Sequence, residues 1–234
     1  MSKKQQKTLE PQIKAIIFDL DGTLVDSEPN YYESDKKLLG EYGIELTEEM
    51  GIKYIGIGCQ DMMADIKANF NIDDSLESLL AKKNQYYIDI AKDNTIVFPE
   101  MLTFLQLLKE NNFPMAIASG SSLEVIEMIT AITNIKPYFD VALSAEEVKR
   151  GKPAPDIFLE TAKRLGISPI NCLVLEDSQY GVEAAKSAGM YCISIPFPTT
   201  QPLHNSFTKA DLLYKNGIEG FSATQAFEWL KKKT

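Results

Sequence analysis

The stretch "KAIIFDLDGTLVDSEP", residues 14 to 29, places four acidic residues behind a run of mainly aliphatic side chains. Two of the four, Asp19 and Asp21, flank a single leucine. The continuous apolar run before them predicts a strand that is covered on both faces. Two carboxylates at the end of such a strand repel each other unless a cation or a shared proton offsets their charge. The stretch therefore predicts a binding site where a buried strand ends.

Short apolar runs of the same kind recur along the chain, with helical patterns between them. They occupy residues 14–19, 114–119, 140–144, 172–176 and 191–195, with a weaker run at 210–214. Helix start and stop signals lie between the runs, such as Pro155 and Asp156 before one helical segment and Gly166 just past its end. This alternation predicts an α/β fold with a doubly wound, Rossmann-like parallel sheet.

One interval breaks the alternation. Residues 29–96 contain no convincing strand and show the patterns of several amphipathic helices. The interval is too long for an ordinary connection between a strand and a helix. We therefore expect a helical cap domain over residues 29–96, inserted into an α/β core made of residues 1–28 and 97–234.

Composition excludes several classes of function. The formal charge is -9, from 24 basic and 33 acidic residues, so no general attraction to nucleic acid is expected. No apolar run reaches the roughly 18 residues of a membrane span, and residues 1–12 predict a short disordered lead-in without a signal peptide. His204 is the only histidine and the three cysteines lack C-x-x-C spacing, which argues against a His-based triad, a zinc site or a disulfide framework. We expect a cytoplasmic monomer with no nucleic-acid or membrane partner.

Polar residues gather where the predicted parallel strands end, which is the edge where open α/β sheets bind ligands. Carboxylate oxygens there suit a hard cation such as Mg²⁺, while an ammonium and a hydroxyl suit an anion. The residues concerned are Asp19, Asp21, Glu176 and Asp177 for the carboxylates, Lys152 for the ammonium and Ser119 for the hydroxyl.

The segment "SGSSLEVIE", residues 119–127, adds a second device for binding an anion. Ser121 followed by Glu124 has the spacing of a capping box, which predicts a helix that starts at Ser121. The free backbone N–H groups of such a start, next to Gly120, favour a phosphate.

Simple electrostatics favours phosphate chemistry at this site. A carboxylate that attacks a phosphate dianion at about 4 Å faces a repulsion of roughly 8 kcal/mol at an effective dielectric near 20. A divalent cation bound to both groups offsets a similar amount, and Lys152 adds to it. Asp19 can then act as a nucleophile. Asp21 can protonate the leaving oxygen and later deprotonate the incoming one.

The motifs "DLDGT", a strand that ends in Ser119, "GKPAPD" and "LEDS", in that order, resemble the four motifs of the haloacid dehalogenase superfamily, in its phosphatase and phosphomutase branch. The resemblance runs from about residue 13 to residue 196. It implies that Asp19 is the residue phosphorylated and that Asp21 is the general acid and base. It also implies that Ser119, Gly120 and Lys152 hold the phosphoryl group.

The resemblance further implies a Mg²⁺ cofactor. The cation would be held by Asp19, by the backbone carbonyl of Asp21 and by Asp177, with Glu176 next to these ligands or bound through a water molecule. The helical insertion resembles the family's cap, which closes over the substrate and excludes water.

Three functions remain open at this point. They are a Mg²⁺-dependent phosphatase acting on a small phosphorylated metabolite, a phosphomutase resembling β-phosphoglucomutase, and a non-catalytic binding module with the same fold. Three departures from the mutase pattern favour the phosphatase: Cys59 replaces a cap-loop Arg, Ser122 replaces a Lys, and Tyr31 replaces a hinge His. The counter-signal is Lys83, which can match a cap lysine of the mutase.

Overall fold

The computed structural model describes residues 12–54, 59–197, 199 and 202–234. Its strands are β1 Ala15–Phe18, β2 Val25–Asp26, β3 Ile96–Val97, β4 Met115–Ser119, β5 Val141–Ser144, β6 Cys172–Glu176, β7 Tyr191–Ser194 and β8 Leu212–Leu213. Six of them form a parallel sheet in the order β5-β4-β1-β6-β7-β8. Each of the six lies in a run predicted from the sequence, so the α/β prediction is confirmed. The predicted lead-in lies almost entirely outside the described residues.

The central strand shows why the apolar runs do not alternate. All four residues of β1 are fully buried. Ile16 and Phe18 pack into the hydrophobic core on one face of the sheet, whereas Ala15 and Ile17 pack into the core on the other face. Because successive side chains of a strand point to opposite faces, a strand with two covered faces must be apolar throughout.

Helices cover both faces of this sheet. They are α5 Pro99–Glu110, α6 Leu123–Ile132 and α9 Ala223–Lys231 on the Phe18 side, and α7 Asp156–Leu165 and α8 Gln179–Ser187 on the Ile17 side. Helix α7 is closed by Gly166 in the left-handed conformation, with φ 69 degrees, as its stop signal predicts. This arrangement is the doubly wound sheet expected from the sequence.

The helical insertion after β1 consists of α1 Glu28–Glu41, α2 Glu48–Tyr54, α3 Cys59–Phe70 and α4 Leu76–Asn94. These helices share a small apolar core of their own, which includes Leu38, Met63, Ile66 and Leu79. A helical insertion in this interval was predicted. The division into residues 29–96 and residues 1–28 with 97–234 stays a proposal.

The sequence did not predict the two-stranded ribbon at the base of the insertion. Strand β2 pairs antiparallel with β3, with Val25 opposite Val97 and Asp26 opposite Ile96. Strands of two residues carry no readable periodicity, so a sequence pattern cannot find them. The ribbon joins the two chain connections of the insertion side by side.

Two further sequence-based expectations concern the cysteines and the membrane. The cysteines are free; Cys172 and Cys192 are buried inside β6 and β7, where they pack as small apolar side chains. Within the described ranges, no helix is both long enough and apolar enough to cross a membrane.

Candidate active site

The carboxyl ends of three neighbouring strands form the site. Asp19 follows β1, Ser119 ends β4, and Glu176 ends β6 with Asp177 directly after it. The chain runs from β1 to β4 and β5 on one side and then returns to β6 on the other side of β1. Such a reversal opens a crevice at the carboxyl ends of the strands. The structure thus brings together the strand-end residues predicted from the sequence.

The Lys152 ammonium lies between two of these carboxylates. Its Nζ donates to Asp19 Oδ1 at 2.6 Å, to the Ala118 carbonyl at 3.3 Å and to Glu176 Oε1. Burial lowers the pKa of Lys152, but the charges of Asp19 and Glu176 outweigh this effect and hold the pKa above its usual value. Lys152 is therefore a permanent cation, and only 13% of its side chain is exposed.

Glu176 uses both carboxylate oxygens within the protein. While Oε1 accepts from Lys152, Oε2 accepts from the backbone N–H and the hydroxyl of Ser178, each at 3.0 Å. These bonds join the lysine to the start of α8. Because both of its carboxylate oxygens accept hydrogen bonds from the protein, Glu176 is better placed to lie next to the cation ligands than to bind the cation itself. A direct bond from Glu176 to the cation stays a prediction.

Asp19 and Asp177 carry a strong electrostatic penalty when both are ionised. Burial raises the pKa of Asp19 to about 8; the Lys152 ammonium opposes this rise, and Glu176 and Asp21 add to it. Burial and the neighbouring Asp19 also hold the pKa of Asp177 well above its usual range. Asp177 Oδ1 accepts one hydrogen bond, from Thr23 Oγ1 at 3.2 Å. A bound cation would relieve this repulsion.

The residues present fit a hard cation such as Mg²⁺. Gly22, with φ 75 degrees, lets the loop after β1 approach Asp177 so closely that a Cβ at this position would lie 2.5 Å from Asp177 Oδ2. In the part of the chain that the structure describes, no group of three or more His, Cys, Asp or Glu side chains is arranged as a metal site. Asp19 and Asp177 offer two carboxylates, and the Asp21 carbonyl is the further ligand that the resemblance implies, which together make an all-oxygen set of the kind that Mg²⁺ prefers.

Two serine hydroxyls hold one oxygen of Asp21. Ser121 Oγ donates to Asp21 Oδ2 at 2.6 Å, and Ser119 Oγ donates to the same oxygen at 3.2 Å. The other oxygen, Oδ1, is buried and has no hydrogen-bond partner among the described residues. The backbone N–H of Ser121 donates to Ser119 Oγ at 3.0 Å, which closes a small network around Gly120.

The predicted capping box at Ser121 is wrong by one residue. The N-cap of α6 is Ser122, whose hydroxyl accepts from the backbone N–H of Val125 at 3.3 Å. Ser121 is free of the cap and therefore able to reach Asp21. Its hydroxyl is also 2.6 Å from the Tyr31 hydroxyl of α1. Sequence reasoning missed this pair, because nothing in a sequence shows which insertion residue faces the loop after β4.

The sheet order, the helical insertion after β1 and the carboxylates around Lys152 define a haloacid dehalogenase-like hydrolase. The model of that family matches residues 13–189, and the chain belongs to it. Several of its curated relatives are named as phosphatases.

Three similar proteins illustrate the relationship. The chain is 33% identical to a phosphorylated carbohydrates phosphatase of Thermotoga maritima over 183 residues, 76% of this chain and 82% of that protein. It is 31% identical to a fructose-1-phosphate phosphatase of Escherichia coli over 77% of this chain and 95% of that protein. Among solved structures, β-phosphoglucomutase of Clostridium difficile superimposes with a TM-score of 0.77 at 26% identity, covering 94% of this chain and 96% of that one.

A first prediction concerns the close packing of Gly181 against Glu176. A Cβ at Gly181, in the first turn of α8, would lie 1.8 Å from the Glu176 carboxyl carbon. Gly181→Ala should displace the carboxylate that holds Lys152, lower the free energy of unfolding by about 1–3 kcal/mol and reduce phosphatase activity roughly 10- to 100-fold. Urea unfolding and phosphate release measure the two effects.

The matched control is Gly40→Ala in α1, where no heavy atom lies within 4 Å of the added Cβ. This change should raise stability by up to about 1 kcal/mol, because alanine is the better helix former. If the two glycine variants behaved alike, the packing argument would be wrong.

A second prediction follows from the raised pKa of Asp19. Below about pH 8 the cation-free carboxyl holds a proton, which a bound cation must displace. Mg²⁺ binding should therefore release protons at neutral pH and tighten as the pH rises toward 8. Calorimetric titration in two buffers of different ionisation enthalpy measures the released protons. Asp177→Asn, which removes a proposed ligand, is the control and should weaken binding; pH-independent binding by the unmodified protein would contradict the assignment.

Proposed function

We propose that the protein is a Mg²⁺-dependent phosphatase that hydrolyses a small phosphorylated sugar or polyol through a phosphoaspartate on Asp19. One observation carries the proposal: a buried aspartate at the end of the central strand, with one oxygen held by a lysine ammonium at 2.6 Å. The names of its relatives, which act on phosphorylated carbohydrates and on fructose 1-phosphate, support the substrate class.

The chain's own residues supply the steps of the reaction. Asp19 attacks the phosphorus with one carboxylate oxygen, and the bond from phosphorus to the substrate oxygen breaks. Asp21 gives its proton to that leaving oxygen. Asp21 then takes a proton from a water molecule that attacks the phosphoaspartate, which releases phosphate and restores Asp19. Lys152 holds the phosphoryl oxygens by its charge, and the Ser119 hydroxyl turns from Asp21 to donate to them.

Mg²⁺ would be held by the carboxylates of Asp19 and Asp177 and by the Asp21 carbonyl. When bound, it supplies positive charge that offsets the repulsion between the Asp19 carboxylate and the phosphate dianion. Lys152 alone carries one positive charge against the four carboxylates around it, which is why we include the cation in the proposal.

The alternative is a phosphomutase, which the likeness to β-phosphoglucomutase keeps open. A mutase must bind the second phosphate of a bisphosphorylated intermediate. Lys83, the cap lysine that could do so, is paired with Asp35 at 2.6 Å, and their side chains are only 4% and 10% exposed. Ser122 is engaged as the cap of α6. Cys59 begins α3, and the residues just before it, 55–58, lie outside the described part of the chain.

Neither Ser122 nor Cys59 carries a positive charge, and Asp35 neutralises Lys83. Each missing charge-assisted bond to a second phosphate costs about 1.5–3 kcal/mol. Such a loss would impair a mutase far more than a hydrolase. We therefore favour transfer of the phosphoryl group to water. The non-catalytic binding module is the least favoured reading, since the nucleophile, the acid/base and the lysine are all present.

Asp19→Asn tests the covalent mechanism. The change removes the charge of the nucleophile at nearly constant volume, so phosphate release from a panel of hexose and hexitol monophosphates with Mg²⁺ should fall at least about a thousandfold. Circular dichroism should show an intact fold. Asp73→Asn, an exposed carboxylate on the insertion, is the matched control and should leave activity unchanged. Activity of Asp19→Asn within about tenfold of the unmodified enzyme would refute the mechanism.

A competition assay separates the phosphatase from the mutase. The enzyme is given β-glucose 1-phosphate with its bisphosphate, and both inorganic phosphate and glucose 6-phosphate are measured. We expect phosphate release to exceed formation of glucose 6-phosphate, because the second phosphate lacks cationic partners. If isomerisation outpaced phosphate release on every monophosphate tested, the mutase alternative would be correct.

A further inference from the structure

A chain of hydrogen bonds links the helical insertion to the carboxylate of Asp21. The Tyr31 hydroxyl, on α1, is 2.6 Å from Ser121 Oγ, and Ser121 Oγ is 2.6 Å from Asp21 Oδ2. Tyr31 and Ser121 are 90 positions apart in the sequence. One residue belongs to the insertion and the other to the loop after β4 in the core.

The order of donors along this chain follows from proton counting. An ionised carboxylate only accepts hydrogen bonds, so the single proton of Ser121 must go to Asp21. Ser121 Oγ can then only accept from Tyr31, which must donate. Burial, together with the charge of Asp21, holds the pKa of Tyr31 well above its usual value, so the phenol keeps its proton and remains a donor.

The same counting assigns a role to each oxygen of Asp21. Oδ2 accepts from Ser121 at 2.6 Å and from Ser119 at 3.2 Å. Oδ1 has no hydrogen-bond partner among the described residues. A proton carried by Asp21 therefore resides on Oδ1, and Oδ2 is the oxygen by which the carboxyl group is anchored.

The Tyr31 ring packs against residues of the insertion and also borders the apolar core on the Phe18 side of the sheet. It stacks on Tyr87 of α4, with ring centroids 4.2 Å apart and planes 24 degrees apart. Lys83 of α4, held by Asp35, has its Nζ 5.5 Å from the centroid of the Tyr31 ring. The position of the Tyr31 hydroxyl therefore depends on α1 and α4, and its bond to Ser121 joins these helices to the core.

We propose that Tyr31 and Ser121 are positioning residues that anchor Oδ2 of Asp21, so that Oδ1 exchanges the proton with the leaving oxygen. Because Tyr31 lies on α1 and Ser121 follows β4, the anchor depends on the packing of the insertion against the core. This inference rests on the proposed function, in which Asp21 is the acid and base. It concerns Asp21 alone and is independent of the identity of the substrate.

The test compares two phosphate esters that differ in their need for a proton. The leaving alkoxide of a hexose monophosphate requires protonation, whereas 4-nitrophenolate leaves without it. In Tyr31→Phe and in Ser121→Ala, the first turnover on the sugar phosphate, followed by rapid quench, should slow about 10- to 100-fold. The first release of 4-nitrophenolate should change by less than about threefold, since this step needs no acid. KM should change little, because neither residue holds the phosphate.

Two controls separate positioning from a structural effect. The double variant should be no slower than Ser121→Ala alone, because both side chains act through the same bond. Tyr32→Phe, an exposed neighbour on α1, should match the unmodified enzyme. Thermal unfolding verifies that each variant is folded.

Equal losses on the two esters, additive losses in the double variant, or full activity of Tyr31→Phe on the sugar phosphate would each overturn the inference. If the proposed function is wrong, the unmodified enzyme will release no phosphate from sugar phosphates. In that case the ratio between the esters is measured with another alkyl phosphate that the enzyme hydrolyses, so the two ideas can fail separately.

Discussion

The contact between the Lys152 ammonium and the carboxylates of Asp19 and Glu176 is the interaction on which the rest of the site depends. Without this contact, two ionised acids buried at adjacent strand ends would repel each other with no positive charge beside them. The lysine offsets their charge and sets the orientation of Asp19. Glu176 in turn accepts hydrogen bonds from Ser178 at the start of α8, so these contacts connect the sheet, Asp19 and a flanking helix.

Much of the architecture could be predicted because buried parallel strands leave a strong mark. Continuous apolar runs located all six strands of the sheet. Because the carboxyl ends of parallel strands meet at one edge, the sequence alone placed Asp19, Ser119 and Glu176 together. The ribbon of β2 and β3 could not, since two residues are too few to show a period. The ribbon forms only because the end of the insertion returns to the place where the insertion began, and this return depends on the whole fold.

The site was harder to predict wherever a contact crosses between the insertion and the core. The pattern from Ser121 to Glu124 has the spacing of a capping box, yet the backbone turns one residue later and Ser122 is the cap. That shift by one residue releases Ser121 toward Asp21 and Tyr31. The sequence marked Tyr31 only as a departure from a pattern, because the register between two helices and a distant loop depends on packing and leaves no local signature.

The antiparallel ribbon also bears on how such a protein can diversify. The chain leaves the core through β2 and re-enters it through β3, so the two attachment points of the insertion are neighbours. The insertion therefore connects to the core at a single place, as a short loop would. Helices beyond the ribbon can be lengthened or exchanged without altering strand register, as long as the contact between Tyr31 and Ser121 is kept. The insertion can thereby vary in sequence while the strand order and the contact of Lys152 with Asp19 stay the same.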